Sequence, residues 1–395
     1  MAECTVKKAR WHRVPVLLLV LLLALTGCAR QTQQPVATET FTQPHLHSLL
    51  EAGEWTAELQ ALLNEPGVDL FVHYQHQSAM DIGLSSENPD IRQHFEQLLR
   101  SQRSAIAEAH YHVLGNDVEG MDALVRRGLH LNATQFPESP THLVQEAVRL
   151  QHTEILDYLL STGMNPGLAR PSGWTGLHQT IDDQYLEGVE LLLAAGAPVD
   201  AVTNSGWTPL ILASDHGFLK GAEALSESGA DLNAKTEDTW TALMFAVDNG
   251  HIDTVRELLE QGAAVNLTNS SDWTPLHFTV NMDNDHADIA QLLIEHGARV
   301  DAFQYTGYTP LHLAAYRGHN NTLQVLADAG AHIDNRHRSG RTPLMDAAEN
   351  GHLATVELLL ALGADAGIES LIEETALQLA RENEHSDIVE LLQNH

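Results

Sequence analysis

Residues 206–213 read GWTPLILA, and 33 positions later residues 239–246 read TWTALMFA. The correspondence is not local. Threonines open matching blocks at 175, 208, 241, 274, 309, 342 and 375, spaced by 33 residues except for one interval of 35, and glycines close the first six blocks at 196, 229, 262, 297, 330 and 363. Self-similarity at a fixed period near 33 marks a solenoid of stacked units. Thr208, Thr274, Thr309 and Thr342 are each followed by proline, which pairs an N-cap hydroxyl with a residue preset for the first helical turn. A second helix follows in each block. In HIDTVRELLEQGA (251–263) Ile252, Val255, Leu258 and Leu259 fall on one helical face, and Gly262 supplies a left-handed stop. Neither helix can bury its apolar stripe alone, so the pairs must stack into one continuous core.

SGWTPLILASDHGFLKGAEALSESGADLNA (205–234), TGYTPLHLAAYRGHNNTLQVLADAGAHIDN (306–335) and SGRTPLMDAAENGHLATVELLLALGADAG (339–367) resemble the ankyrin repeat nearly position by position. The resemblance implies an all-α solenoid of about ten to eleven helix-turn-helix repeats. Weaker copies run through Thr141–Gly163 and Ala107–Gly128, fainter ones through Ser78–Arg100 and Leu46–Gly67 as an amphipathic cap, and the block from Thr375 to His395 reads as a C-terminal capping repeat. The expected organisation is a degenerate N-terminal array over 45–137 and a regular one over 138–395. The Thr274 block carries two extra residues, in NMDNDHAD (281–288) between its helices.

The 395 residues are 43% hydrophobic but only 5% aromatic, with 21 basic and 53 acidic residues and a formal charge of −32. That balance fits small-residue helix packing and excludes a basic nucleic-acid face. The N-terminus is of another kind: Lys7, Lys8, Arg10 and Arg13 precede an apolar run from Val14 to Leu25, the pattern of a secretory leader too short for a stable bilayer span. Its end, Leu25-Thr26-Gly27-Cys28, resembles the lipobox of bacterial lipoproteins. The resemblance implies a signal peptide over 1–27, acylation of Cys28 and a membrane anchor through lipid. Ala29 after the cysteine implies sorting to the outer membrane, with the chain facing the periplasm. Residues 28–44, rich in Gln, Thr and Pro, read as a lipidated, flexible tether. Loss of the leader leaves 17 basic and 52 acidic residues, a formal charge of −35, and no free thiol, because Cys4 departs and Cys28 is acylated.

No nucleophile elbow, phosphate loop or metalloprotease pattern occurs, so neither an enzyme nor a cofactor is expected. The 24 histidines mostly hold repeat positions. The resemblance gives His178, His277 and His312 a bond to backbone and Thr hydroxyl in the turn, and His152, His251, His286, His319, His352 and His385 begin second helices. The pairs His45/His47, His73/His76 and His110/His112 have spacings a metal could use, but lack the three or four convergent ligands that zinc needs. Acidic residues recur where Asp182 and Asp183 stand, which points to a solvated face rather than acid/base chemistry.

Trp174, Trp207, Trp240, Trp273 and Tyr308 all stand just before the capping threonine, and Arg341 and Glu374 follow in that slot. The resemblance places this slot and the exposed end of the first helix on a concave binding surface, flanked here by Asp182, Asp183, Asp215, His216, Asp248, Asn249, Tyr316, Arg317, Glu349 and Asn350. Spaced aromatics beside carboxylates suit a protein interface. A second reading stands beside it, in which each indole only packs on the next turn and stiffens the array. The acidity likewise divides between solubility and attraction of a basic partner. The chain is thus expected to be a monomeric, non-enzymatic binder of a basic protein, acting as an inhibitor or immunity partner, with envelope assembly or maintenance as the alternative and metal storage or catalysis a third.

Overall fold

The computed structural model describes residues 86–129, 143–281 and 285–395, with the short pieces 50–52, 56, 59, 73–74 and 77–78 before them. The leader, Cys28, the tether, His45 and His47 lie outside the described residues. So does His76 of the second histidine pair.

Among the described residues nine helix pairs follow one another. They are α1 (Pro89–Leu114) with α2 (Val118–Arg126), α3 (Leu143–Arg149) with α4 (Thr153–Ser161), and α5 (Gly176–Asp182) with α6 (Leu186–Ala194). Then come α7 (Pro209–Asp215) with α8 (Leu219–Glu227), α9 (Ala242–Asp248) with α10 (Ile252–Glu260), and α11 (Pro275–Phe278) with α12 (Ala287–Glu295). The last three are α13 (Pro310–Arg317) with α14 (Asn320–Asp328), α15 (Pro343–Glu349) with α16 (Leu353–Ala361), and α17 (Ala376–Glu382) with α18 (Ser386–Gln393). First helices pack on first helices and second on second, which makes two layers with one continuous core between them. This is the expected all-α solenoid. A two-residue antiparallel pairing, β1 (His73–Tyr74) with β2 (Gln77–Ser78), precedes it.

Sequence and structure agree on the helix starts. Thr208 Oγ1 accepts from the Ile211 N–H at 3.2 Å, and Thr241, Thr309, Thr342 and Thr375 cap in the same way. Gly262 closes its repeat at φ +97°, a conformation that costs a residue with a Cβ. At the turn tip Gly206 is required twice, by φ +77° and because a Cβ would lie 2.9 Å from the Glu237 nitrogen.

Two places depart from expectation. The second half of the expected unit over Ser78–Arg100 runs without a break into the next unit through the 26-residue α1; no Gly or Pro interrupts 90–114 to stop it, and residues 79–85 lie outside the described residues. In the Thr274 block the extra length shortens the first helix to the four residues of α11. Met282–Asn284 of that insertion lie outside the described residues, but Asp285 is placed: its carboxylate accepts from the Asn321 and Thr322 backbone N–H groups, at 3.1 and 2.9 Å. It thereby satisfies two orphan donors at the start of α14 in the next repeat.

Candidate partner-binding face

The Trp slot is fixed by the backbone before any side chain is considered. In each hairpin the residue four positions earlier donates to the carbonyl of the slot residue: Thr203 to Trp207, Thr236 to Trp240, Asn269 to Trp273 and Gln304 to Tyr308, all at 3.0–3.1 Å. The slot N–H in turn donates to a side-chain oxygen of Thr203, Thr236 or Asn269, at 3.0–3.2 Å. Hairpin tips bond to one another along the stack, as in Asn204 N–H to Ser172 carbonyl at 2.8 Å and Glu237 N–H to Ser205 carbonyl at 3.1 Å. Equivalent side chains are therefore delivered to equivalent places.

Histidine joins the repeats. In the turn of His277 the Thr274 N–H donates to Nδ1 at 3.1 Å, so Nε2 carries the proton and donates to the Tyr308 carbonyl of the next repeat at 3.3 Å. His178 and His312 do the same toward Trp207 and Arg341. Burial holds His277 down at about 4 and, with the neighbouring His337, His312 at about 3. At the start of second helices, His251, His352 and His385 bond back to the carbonyls of Asp215, Tyr316 and Glu349 at 2.9–3.0 Å. This satisfies first-helix C-termini of the preceding repeat. His112 is engaged by Asp117 at 2.8 Å. Among the described residues no three His, Cys, Asp or Glu side chains converge as a metal site.

The indoles are half-buried, neither scattered nor enclosed. Phenylalanines from the first helices interleave with them: Phe245 lies 4.7 Å from Trp207 and 5.0 Å from Trp240, and Phe278 lies 4.4 Å from Trp240 and 5.1 Å from Trp273, ring centre to ring centre. Tilts of 42–51° at these spacings are ordinary for attractive aromatic pairs. The result is an aromatic strip unbroken from Trp207 to Trp273, so packing and exposure are both served by the same rings. Above it runs a groove of about 570 Å3 walled by Trp207, Trp240 and Trp273, floored by Phe245 and Phe278, and rimmed by Asp238, Asn269, Ser270, Ser271 and Asn281. A second groove of about 370 Å3 lies between Trp174 and Trp207, with Leu212 and Asp215. The Trp174 N–H is buried with no hydrogen-bond partner among the described residues.

The acids beside the strip are set against the helices that bear them. Asp182, Asp215, Asp248 and Glu349 are the last residues of α5, α7, α9 and α15, where the negative end of the macrodipole disfavours a carboxylate by roughly 0.3–1 kcal/mol. Asp215 accepts from Asn249 at 3.0 Å and Asp248 from Asn281 at 2.7 Å; Asp182 has His216 at 3.9 Å. Asp183 is exposed and accepts from Gln179 at 3.0 Å. Tyr316 is 41% exposed, and Arg317 is half-buried beside it at the end of α13.

At its C-terminal end the strip changes character. Tyr308 stacks on His337 at 4.3 Å, and burial, reinforced by Asp346, pushes its phenol up to about 12. Asp346 fills the slot that Phe245 and Phe278 fill elsewhere. Its side chain is 1% exposed and pairs with His337 Nε2 at 3.6 Å, beyond a hydrogen bond, and among the described residues neither carboxylate oxygen accepts a hydrogen bond. Burial raises its pKa. Arg341 takes the Trp slot and holds Glu349 at 2.8 Å and Glu374 at 2.9 Å.

Sequence reading did not single out Phe245, Phe278, Asp238 or Asn281. Phe245 and Phe278 share one repeat position 33 residues apart, and that coincidence was the available signal. Among known families, the one described as ankyrin repeats matches three times, over residues 143–236, 228–304 and 301–370, together more than half of the chain. None of the curated proteins matches the chain.

Proposed function

The chain belongs to the ankyrin-repeat family, and from that premise we propose that it acts without catalysis, by holding a basic protein on the face built from its hairpins and first-helix ends. The observation that carries this reading is the series of half-buried rings Trp174, Trp207, Trp240, Trp273 and Tyr308, the first four open to two grooves whose linings carry the carboxylates of Asp215 and Asp238. Large rigid rings provide apolar area at low entropic cost. Carboxylates that oppose their own helix dipoles gain most when a cation arrives. A diffuse charge of −32 adds long-range attraction for a basic partner.

The leader pattern and Cys28 support an address in the bacterial envelope, with the protein tethered by lipid to the outer membrane and facing the periplasm. No described helix is long and apolar enough to cross a membrane. Stoichiometric masking of a basic toxin or enzyme in that compartment is the mode of action that combines charge and address.

The test is affinity capture by the tagged chain from cells that carry it, run in parallel with Trp207→Ala and Trp240→Ala. A basic protein retained by the parent, lost from both variants and released by moderate salt supports the proposal. A partner held equally by all three, or held independently of ionic strength, contradicts it.

A further inference from the structure

We infer that each of the two grooves receives one arginine or lysine side chain, so that the partner presents an extended segment with basic residues three or four positions apart. The inference rests on the partner-binding reading above and goes beyond it by assigning the chemistry that enters each groove.

The larger groove offers three indoles over a floor of two phenyl rings, and the smaller offers Trp174 and Trp207; Trp207 is the wall they share. Each has one carboxylate in its lining, Asp238 in the larger and Asp215 in the smaller, and neither is lined by a lysine or arginine. An aromatic enclosure with a single acid at its edge is matched to a cation on an apolar stem, which gains from the ring faces, the carboxylate and the burial of its methylenes.

The chain itself supplies the fit. Where the aromatic series ends, Arg341 occupies the same slot as the tryptophans, and its guanidinium reaches Glu349, the acid at the end of the first helix of its own repeat, at 2.8 Å. At the adjoining hairpin tips Arg338 lies 4.7 Å above the Tyr305 ring. Both kinds of contact a guanidinium would make in the grooves, with a carboxylate and with a ring face, are thus made within the chain just beyond the last aromatic slot. In the Trp repeats the corresponding acids Asp215 and Asp248 accept from the neutral amides of Asn249 and Asn281, with the His216 imidazole 3.9 Å from Asp215 and, among the described residues, no lysine or arginine paired with either. Those bonds hold the carboxylates in position without neutralising them.

Spacing follows from the stack. Helices pack at about 8–10 Å, and the grooves lie between one and one and a half repeats apart, so their occupants are separated by roughly 10–15 Å. An extended chain covers that in three or four residues at about 3.4 Å each.

The experiment titrates the full chain, purified in mild detergent, with a Ser/Gly decapeptide carrying two arginines at positions i and i+3, following tryptophan fluorescence and heat. Companion peptides carry one arginine, or citrulline in place of both. The expected result is saturable binding of the first, binding weaker by about tenfold with one arginine, and none with citrulline, which keeps the shape and loses the charge. Asp215→Asn and Asp238→Asn, which leave the backbone and the rings in place, each weaken the two-arginine peptide severalfold. Equal binding of the citrulline peptide, no binding of the arginine peptide at millimolar concentration, or quenching by a neutral oligosaccharide instead would overturn the inference. Failure here is separable from failure of the partner-binding reading. If the captured protein is lost from Trp240→Ala but kept by both Asn variants, the face stands and the cation assignment falls; if Trp240→Ala keeps it, the face itself is wrong.

Discussion

Replacing His277 by glutamine should remove a defined part of the acid sensitivity of the array. The imidazole is fully buried and held at about 4 against an ordinary 6.5, because burial opposes its charged form and Thr274 donates to the nitrogen that would take the proton. A histidine whose folded pKa is depressed contributes stability that is complete above the unfolded value and is lost as pH falls toward the folded one. Between pH 7 and pH 5 the unfolded chain gains most of a proton at this position and the folded chain almost none, which removes about 2 kcal/mol. Glutamine fits the same role: at the last repeat Gln378 Oε1 accepts from the Thr375 N–H at 2.7 Å, and its amide can donate as Nε2 of the imidazole does. Urea unfolding of parent and variant at pH 7 and pH 5 isolates the term, since the many surface carboxylates are common to both. The parent should lose about 2 kcal/mol more than His277→Gln over that interval. The same exchange at His312, held at about 3, should add a similar amount. Parallel pH profiles for parent and variant would refute the assignment of a neutral, buried imidazole.

Asp346→Leu should stabilise the protein by about 1–3 kcal/mol, because it replaces a buried carboxyl that accepts no hydrogen bond among the described residues by the residue type found at the equivalent Leu313 and Leu212. Since the raised pKa of Asp346 means its stabilising, protonated form is lost as pH rises, the gain measured by urea unfolding should be larger at pH 8 than at pH 5. Trp240→Ala removes the ring lodged between Phe245 and Phe278 and should cost about 2 kcal/mol of stability, less than a fully buried tryptophan, together with at least about 2 kcal/mol of partner affinity by calorimetry. Cys28→Ser should move the chain from the membrane to the soluble envelope fraction on cell fractionation, while wild type sediments with outer membranes.

The repeat was legible because each of its parts has its own local chemistry. Thr208 and Thr342 announce caps, Gly262 a stop, and Ile252, Val255, Leu258 and Leu259 a helical stripe, and all stand where the sequence puts them. What escaped was what depends on neighbours 33 residues away. Phe245 and Phe278 look like core residues in any helix, and only the stack turns them into rungs between tryptophans. Asp346 looks like a surface acid until the same slot places it against His337. The continuity of α1 and the shortening of α11 are also tertiary outcomes, since local signals over 100–107 and 274–281 do not decide where a helix stops. The tryptophans themselves could be located but not oriented from sequence. Half-burial leaves them packed on their neighbours and also open to the grooves, so their packing does not exclude recognition.

The account depends on Trp174, Trp207, Trp240 and Trp273 meeting the partner together along one line. Biosynthetic labelling with 5-fluorotryptophan, with each resonance assigned by Trp→Phe replacement, reads this directly in a fluorine NMR titration with the captured partner. The four strip resonances should shift or broaden in concert. A partner that binds at full stoichiometry while the four strip resonances keep their positions and widths would contradict the claim.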